Sequence, residues 1–178
     1  MGSDNRNANP SDAARDAAHW AAVEEATELL HEERIKEALE ALRDVLREDP
    51  GNPYAFFFLG QGLYEAGEMA PARDAYRAAL KLAPAHLGAR VALTHVLRKL
   101  GESREAVKEG MIALEQAPTD GDALYAVGLA YLSRGDNVAA RRYLEAYLRS
   151  DPEFETRVEV EGLLQTMDGG PGPIKDEN

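Results

Sequence analysis

The residues best suited to metal or acid–base chemistry are four histidines, His19, His31, His86 and His95. Two histidines on one helix hold a metal ion when they stand three or four residues apart, and no pair here has that spacing. The run His31-Glu32-Glu33-Arg34 opens like the H-E-x-x-H zinc motif but lacks its second histidine. Gly60-Gln61-Gly62 opens like a dinucleotide-binding loop, yet the next glycine falls at the wrong distance and no strand precedes it. No Gly-x-Ser-x-Gly stretch could raise a nucleophilic serine on a tight turn. With no cysteine, thiolate and disulfide chemistry are excluded. The acids are plentiful, but they scatter among lysines and arginines as helix surface charges do. The inventory therefore points away from an enzyme, with no metal and no cofactor.

The elements that carry these residues come next. The 178 residues fit one domain, and 44% are hydrophobic, enough for a packed core. The net charge of −12 disfavours nucleic acid, because such a chain repels phosphate backbones. No stretch approaches the ~20 apolar residues that a membrane helix needs, and the polar start has no apolar core of signal-peptide length. A cytoplasmic location without membrane insertion is the expectation.

From Pro53 to Pro84 the chain shows two helical apolar stripes, broken near Gly67. Pro50, Pro84, Pro118 and Pro152 each follow the last by 34 residues. Small residues recur in phase at Ala26, Gly60, Thr94 and Gly128, and again at Ala38, Ala72, Ala106 and Ala140. Large ones recur at Leu29, Leu63, Leu97 and Tyr131. The turn column reads Glu33, Gly67, Gly101 and Gly135. A later packing column reads Leu42, Tyr76, Gly110 and Leu144, in which Gly110 either leaves a gap or lets a neighbour closer. Glu25 and Arg90 also stand where apolar residues are expected.

This pattern resembles the tetratricopeptide repeat family, a helix–turn–helix unit of about 34 residues. The resemblance implies an all-α, right-handed solenoid of helical hairpins. Four repeats are expected at about 19–52, 53–86, 87–120 and 121–152, within a segment from residue 11 to 152. Residues 1–10 read as a disordered lead, with Ser11 as the N-cap of one long helix that runs into repeat one and covers its outer edge. Residues 153–167 read as a capping helix with Phe154, Val158, Val160, Leu163 and Leu164 as its apolar positions, and 168–178 as a flexible tail.

The resemblance also implies that the first helices of the repeats line a concave groove. One helical stripe gives its positions. In repeat one these are Trp20, Val23, Thr27 and Leu30; in repeat two, Tyr54, Phe57, Gln61 and Tyr64. Repeat three supplies Gly88, Val91, His95 and Arg98, and repeat four Asp122, Tyr125, Leu129 and Leu132. Some co-chaperones of this family hold C-terminal carboxylates with Lys, Asn and Arg, but the equivalent positions here are Val23, Thr27, Phe58, Gly88 and Ala92. The expected function is a non-catalytic adaptor that binds a peptide or helix of another protein in the groove. The alternative is a self-assembling scaffold joined through repeat ends or the C-terminal helix. A charge of −12 resists close self-packing, so a monomer is expected in dilute solution.

Overall fold

The computed structural model describes residues 10–169; the expected disordered lead, Pro10 apart, and most of the expected tail lie outside them. The described residues form helices and no strand. A leading helix α1 (Pro10–Ala21) precedes four hairpins. These are α2 (Glu24–His31) with α3 (Ile35–Glu48), α4 (Pro53–Glu65) with α5 (Met69–Leu82), α6 (Leu87–Lys99) with α7 (Ser103–Gln116), and α8 (Gly121–Ser133) with α9 (Asn137–Leu148). Helix α10 (Phe154–Met167) follows. The chain falls into two compact units that divide between Ala89 and Arg90, inside α6.

All four first helices end alike. The amides of Glu33, Gly67, Gly101 and Gly135 reach carbonyls three residues back, and the next amide in each case reaches five back, as in Arg34 to Leu29 and Glu68 to Leu63. This Schellman closure puts the pivotal residue in the left-handed region, at φ near +80° for the three glycines and +58° for Glu33. A side chain there is strained. Glu33→Gly is therefore expected to raise stability by up to about 1 kcal/mol, read as a higher urea midpoint; an unchanged or lower midpoint contradicts it. Three of the second helices, α3, α5 and α7, end two residues before a repeated proline, and the residue between, Asp49, Ala83 or Ala117, turns extended, because a proline disfavours helix in the residue before it.

Within each hairpin the facing residues trade size. A methyl on Gly60 would come within 2.7 Å of the Tyr76 ring, and one on Gly128 within 2.7 Å of Leu144. In repeat three the order reverses: the first helix carries buried Thr94, and a methyl on Gly110 of the second would meet Val127 at 2.6 Å and Thr94 at 3.2 Å. Gly110 thus marks a close approach and leaves no gap. Arg90, also out of pattern, is buried and paired at 2.6 Å with Glu109 of α7, where repeat two has Ala75. Each charge would be costly alone in that place, and together they neutralise each other.

The start of the chain departs from expectation. Pro10 opens α1, a position that suits its fixed φ and missing amide hydrogen. Ser11 therefore lies inside the helix, one residue past its start. The helix also breaks at Ala22–Val23 instead of running on. The cause is Asn52, fully buried before α4. Its Nδ2 donates to the His19 carbonyl at 2.9 Å, the acceptor that Val23 N–H would use in an unbroken helix. Val23 N–H turns instead to Trp20 O at 3.0 Å. The Asn52 Oδ1 meanwhile accepts from Ala55 N and caps α4. His19 Nε2 adds a 2.9 Å contact with Asp49. α1 consequently lies against α4 rather than over the outer side of the α2–α3 pair, where Ala22, Glu25, Ala26 and Leu29 line an open cleft. At the other end, α10 packs on α9 and buries Val160 and Leu164, as a cap does.

Candidate functional site

In the first unit, the helix break places Trp20 at the end of α1, 47% exposed. Its ring meets Tyr54 edge-on at 5.4 Å and Phe58 at 5.9 Å. Phe57 continues the cluster, 5.0 Å from Phe58, 4.6 Å from His86 and 6.0 Å from Tyr76. These aromatic contacts are individually weak but collectively fix the rings. The Tyr54 hydroxyl donates to Asp16 of α1 at 2.8 Å, and that bond, with partial burial, raises its pKa. His86 Nδ1 accepts from Ala89 N at 3.2 Å and so caps α6, which requires the neutral ring; burial lowers its pKa and favours that form.

Of the other expected groove positions in this unit, Thr27, Gln61 and Tyr64 are half-buried. The Thr27 hydroxyl donates to the Glu24 carbonyl and Gln61 Nε2 to Glu65. Val23 is not a groove residue. It is 0% exposed and packs with Ala26, Leu42 and Ala55, because the break at Ala22 rotates it into the core. Leu30 is likewise buried.

In the second unit, His95 and Tyr125 stand 6.0 Å apart, and Tyr125 lies 5.1 Å from Tyr147. The Tyr125 hydroxyl donates to Glu159 of α10 at 3.2 Å. Burial, then the Glu159 charge, push its pKa up to about 12. Burial pulls His95 down to about 4, helped by Arg98 and Lys99 one turn further along the same helix. Leu129 is half-buried and Val91 buried, so Val91 offers little surface. Arg98 is half-buried, and its Nε is buried without a hydrogen-bond acceptor.

At neutral pH His95 is uncharged and Tyr125 protonated, so neither is poised for proton transfer. What the two units present is aromatic surface with one under-used guanidinium. Among the described residues no three His, Asp or Glu side chains gather as metal ligands, and no helix is long and apolar enough to cross a membrane. Asn52, His86, Asp16 and Glu159 were absent from the sequence-based site. Asn52 and His86 had a signal: with Asp120, which caps α8 through Ala123 N, they stand 34 residues apart ahead of successive first helices.

No curated protein matches the chain. Among solved structures, the 41-end form of MamA from Desulfovibrio magneticus RS-1 superposes with a TM-score of 0.75 at 23% identity, covering 85% of this chain and 84% of that one. YrrB, described as a TPR protein with an unusual peptide-binding site, gives 0.70 at 23%, covering 84% and 76%. PilF of Pseudomonas aeruginosa gives 0.74 at 21%, covering 86% and 69%. These likenesses establish the fold. The tetratricopeptide repeat model matches residues 23–86 and 91–153, which is most of the chain. With the 34-residue columns and the shared helix closures, that match makes this chain a member of the tetratricopeptide repeat family, an all-α solenoid of helical hairpins.

Proposed function

We propose that the chain is a non-catalytic interaction module that takes a peptide or helix of another protein against its first-helix faces. Tetratricopeptide repeats generally mediate protein–protein interaction, and the finer reading rests on one observation. Trp20, nearly half exposed, heads a connected aromatic cluster with Tyr54, Phe58 and Phe57 in the first unit. Large aromatics of this kind dominate the energetics of protein interfaces. Their rings are already ordered by one another, so little side-chain entropy remains to be lost on binding. An amphipathic helix would present anchors at i, i+3 or i+4, and i+7 to such a face. The Asp16 carboxylate on Tyr54 sets an acidic border, which favours a ligand with a basic or neutral flank.

The test is a pull-down from native lysate with wild type and with a Phe57→Ala, Tyr64→Ala double variant. The expected result is loss of specific partners from the double variant, with its thermal unfolding still cooperative. Identical partner sets remove the aromatic face from the account.

A further inference from the structure

A cleft of about 370 Å³ lies between α7 and α9 in the second unit, away from the first-helix faces. Met111, Leu114, Pro118, Leu124, Tyr143 and Ala146 form its apolar lining. That volume is at the small end for ligand pockets, room for one bulky side chain. Tyr143 is held firmly: it stacks on Tyr131 at 5.5 Å with planes 3° apart, and its hydroxyl touches Met111 Sδ at 3.3 Å. Arg142 and Arg149 stand on the rim, seven residues apart, about 10.5 Å along a helix axis. Both are exposed, and neither joins an ion pair among the described residues. The one acid on the rim is Glu115.

This cleft differs from three others among the described residues. The one beside α1 carries Asp12, Asp16 and Asp49 against Arg15. The one between α2 and α3 has five acids against Arg34, and the one near the start of α8 has four acids and no base. In a chain of net charge −12, the α7–α9 cleft alone among these four has a positive rim.

The same chain displays the complementary shape. Helix α10 has two apolar stripes. One, Val160 and Leu164, is buried in its own chain. The other, Phe154 and Val158, is 77% and 50% exposed. Glu155 and Glu161 border that second stripe, exposed and free of ion pairs among the described residues. Six residues apart, they span about 9 Å along the axis, close to the separation of the two arginines, and stand about a third of a turn apart around it, an offset that the long arginine side chains take up. The only base in α10, Arg157, is already occupied by Asp151 at 2.6 Å.

We infer that the α7–α9 cleft receives α10 of a second copy of this chain, with Phe154 inserted beside Tyr143 and the carboxylates of Glu155 and Glu161 meeting Arg142 and Arg149. This inference does not rest on the groove reading. One helix in one small cleft buries less than the ~1,200 Å² of stable complexes, so the association is weak and concentration-dependent. It is also of donor-and-acceptor type, each chain offering one helix and one cleft.

That asymmetry supplies the test, sedimentation velocity over a micromolar to near-millimolar series. Wild type is expected to climb from monomer mass toward twice that value or beyond. An Arg142→Glu, Arg149→Glu variant lacks the cleft rim, and a Phe154→Ser, Val158→Ser variant lacks the helix stripe. Each alone is expected to stay monomeric. Their equimolar mixture is expected to recover a dimer, because one supplies an intact helix and the other an intact cleft. Recovery also shows that both variants are folded. The groove variant Phe57→Ala is expected to associate like wild type, which separates this inference from the proposed function. A wild type that stays monomeric throughout, a single-face variant that associates normally, or a mixture that stays monomeric overturns it.

Discussion

Replacing Leu144 with alanine is expected to destabilise the protein by about 2–5 kcal/mol, the usual range for a fully buried leucine that leaves a cavity. Leu144 is 0% exposed and sits in the space opposite Gly128. The converse change, Gly128→Ala, is expected to cost about 1–3 kcal/mol by overpacking. Its new methyl would lie 2.7 Å from the Leu144 side chain and 3.3 Å from the Leu144 backbone nitrogen. The double variant is the informative one. With Leu144 shortened, the alanine at 128 has room and fills part of the hole, so the loss is smaller than the sum of the two single losses, with a coupling of about 0.5–3 kcal/mol. The rescue is partial because the backbone contact remains. Urea unfolding followed by far-UV circular dichroism measures all three. Strict additivity would mean that the two residues do not share one space.

Stability is expected to fall as pH drops from 7 to 4, with His95 a principal cause. Its folded pKa of about 4 lies below the ordinary value of 6.5. Between these values the unfolded chain binds the proton and the folded chain does not, so acid favours unfolding. Above about 6.5 the penalty is absent; it grows as pH falls and is complete near 4. A separation of about 2.5 pH units corresponds to about 3 kcal/mol at most. His86 acts in the same direction, because a protonated Nδ1 could not accept from Ala89 N and would place a cation at the start of α6. The check is a pH series of unfolding free energies for wild type and His95→Gln. The difference between the two should change by a few kcal/mol from pH 7 to pH 4. Parallel curves would show that His95 titrates normally.

The hairpins were legible because their signals are local and repeated. Proline stops, left-handed turn positions and small–large columns each act within one 34-residue unit, and four copies in phase leave little freedom. Even the odd residues Arg90 and Gly110 were visible as departures. Their reasons were not, because each lies in a partner on another helix: Glu109 for the first, Thr94 and Val127 for the second. The leading helix misled for a similar reason. Nothing local stops a helix at Ala22, and the break comes from Asn52, 33 residues beyond the His19 carbonyl it captures. That one hydrogen bond moved Val23 out of the groove reading and into the core, while Trp20 stayed exposed. Groove membership was only partly readable, since a helical stripe gives direction but not depth: Val91 and Leu30 share a stripe with Tyr125 and Tyr64 yet are buried.

The reversed size order in repeat three has a consequence for how such a chain can be rearranged. Gly60 is matched to Tyr76 and Gly110 to Thr94. A crossover between the two helices of a repeat would join Thr94 to a tyrosine, or Gly60 to a glycine. The first hybrid is jammed and the second hollow. A crossover in the loop between repeats keeps both of these pairs and changes only contacts between neighbouring repeats, such as Gly110 against Val127. Duplication, deletion or shuffling by design should therefore succeed with whole hairpins and fail with single helices, which makes the hairpin the smallest exchangeable part of this protein.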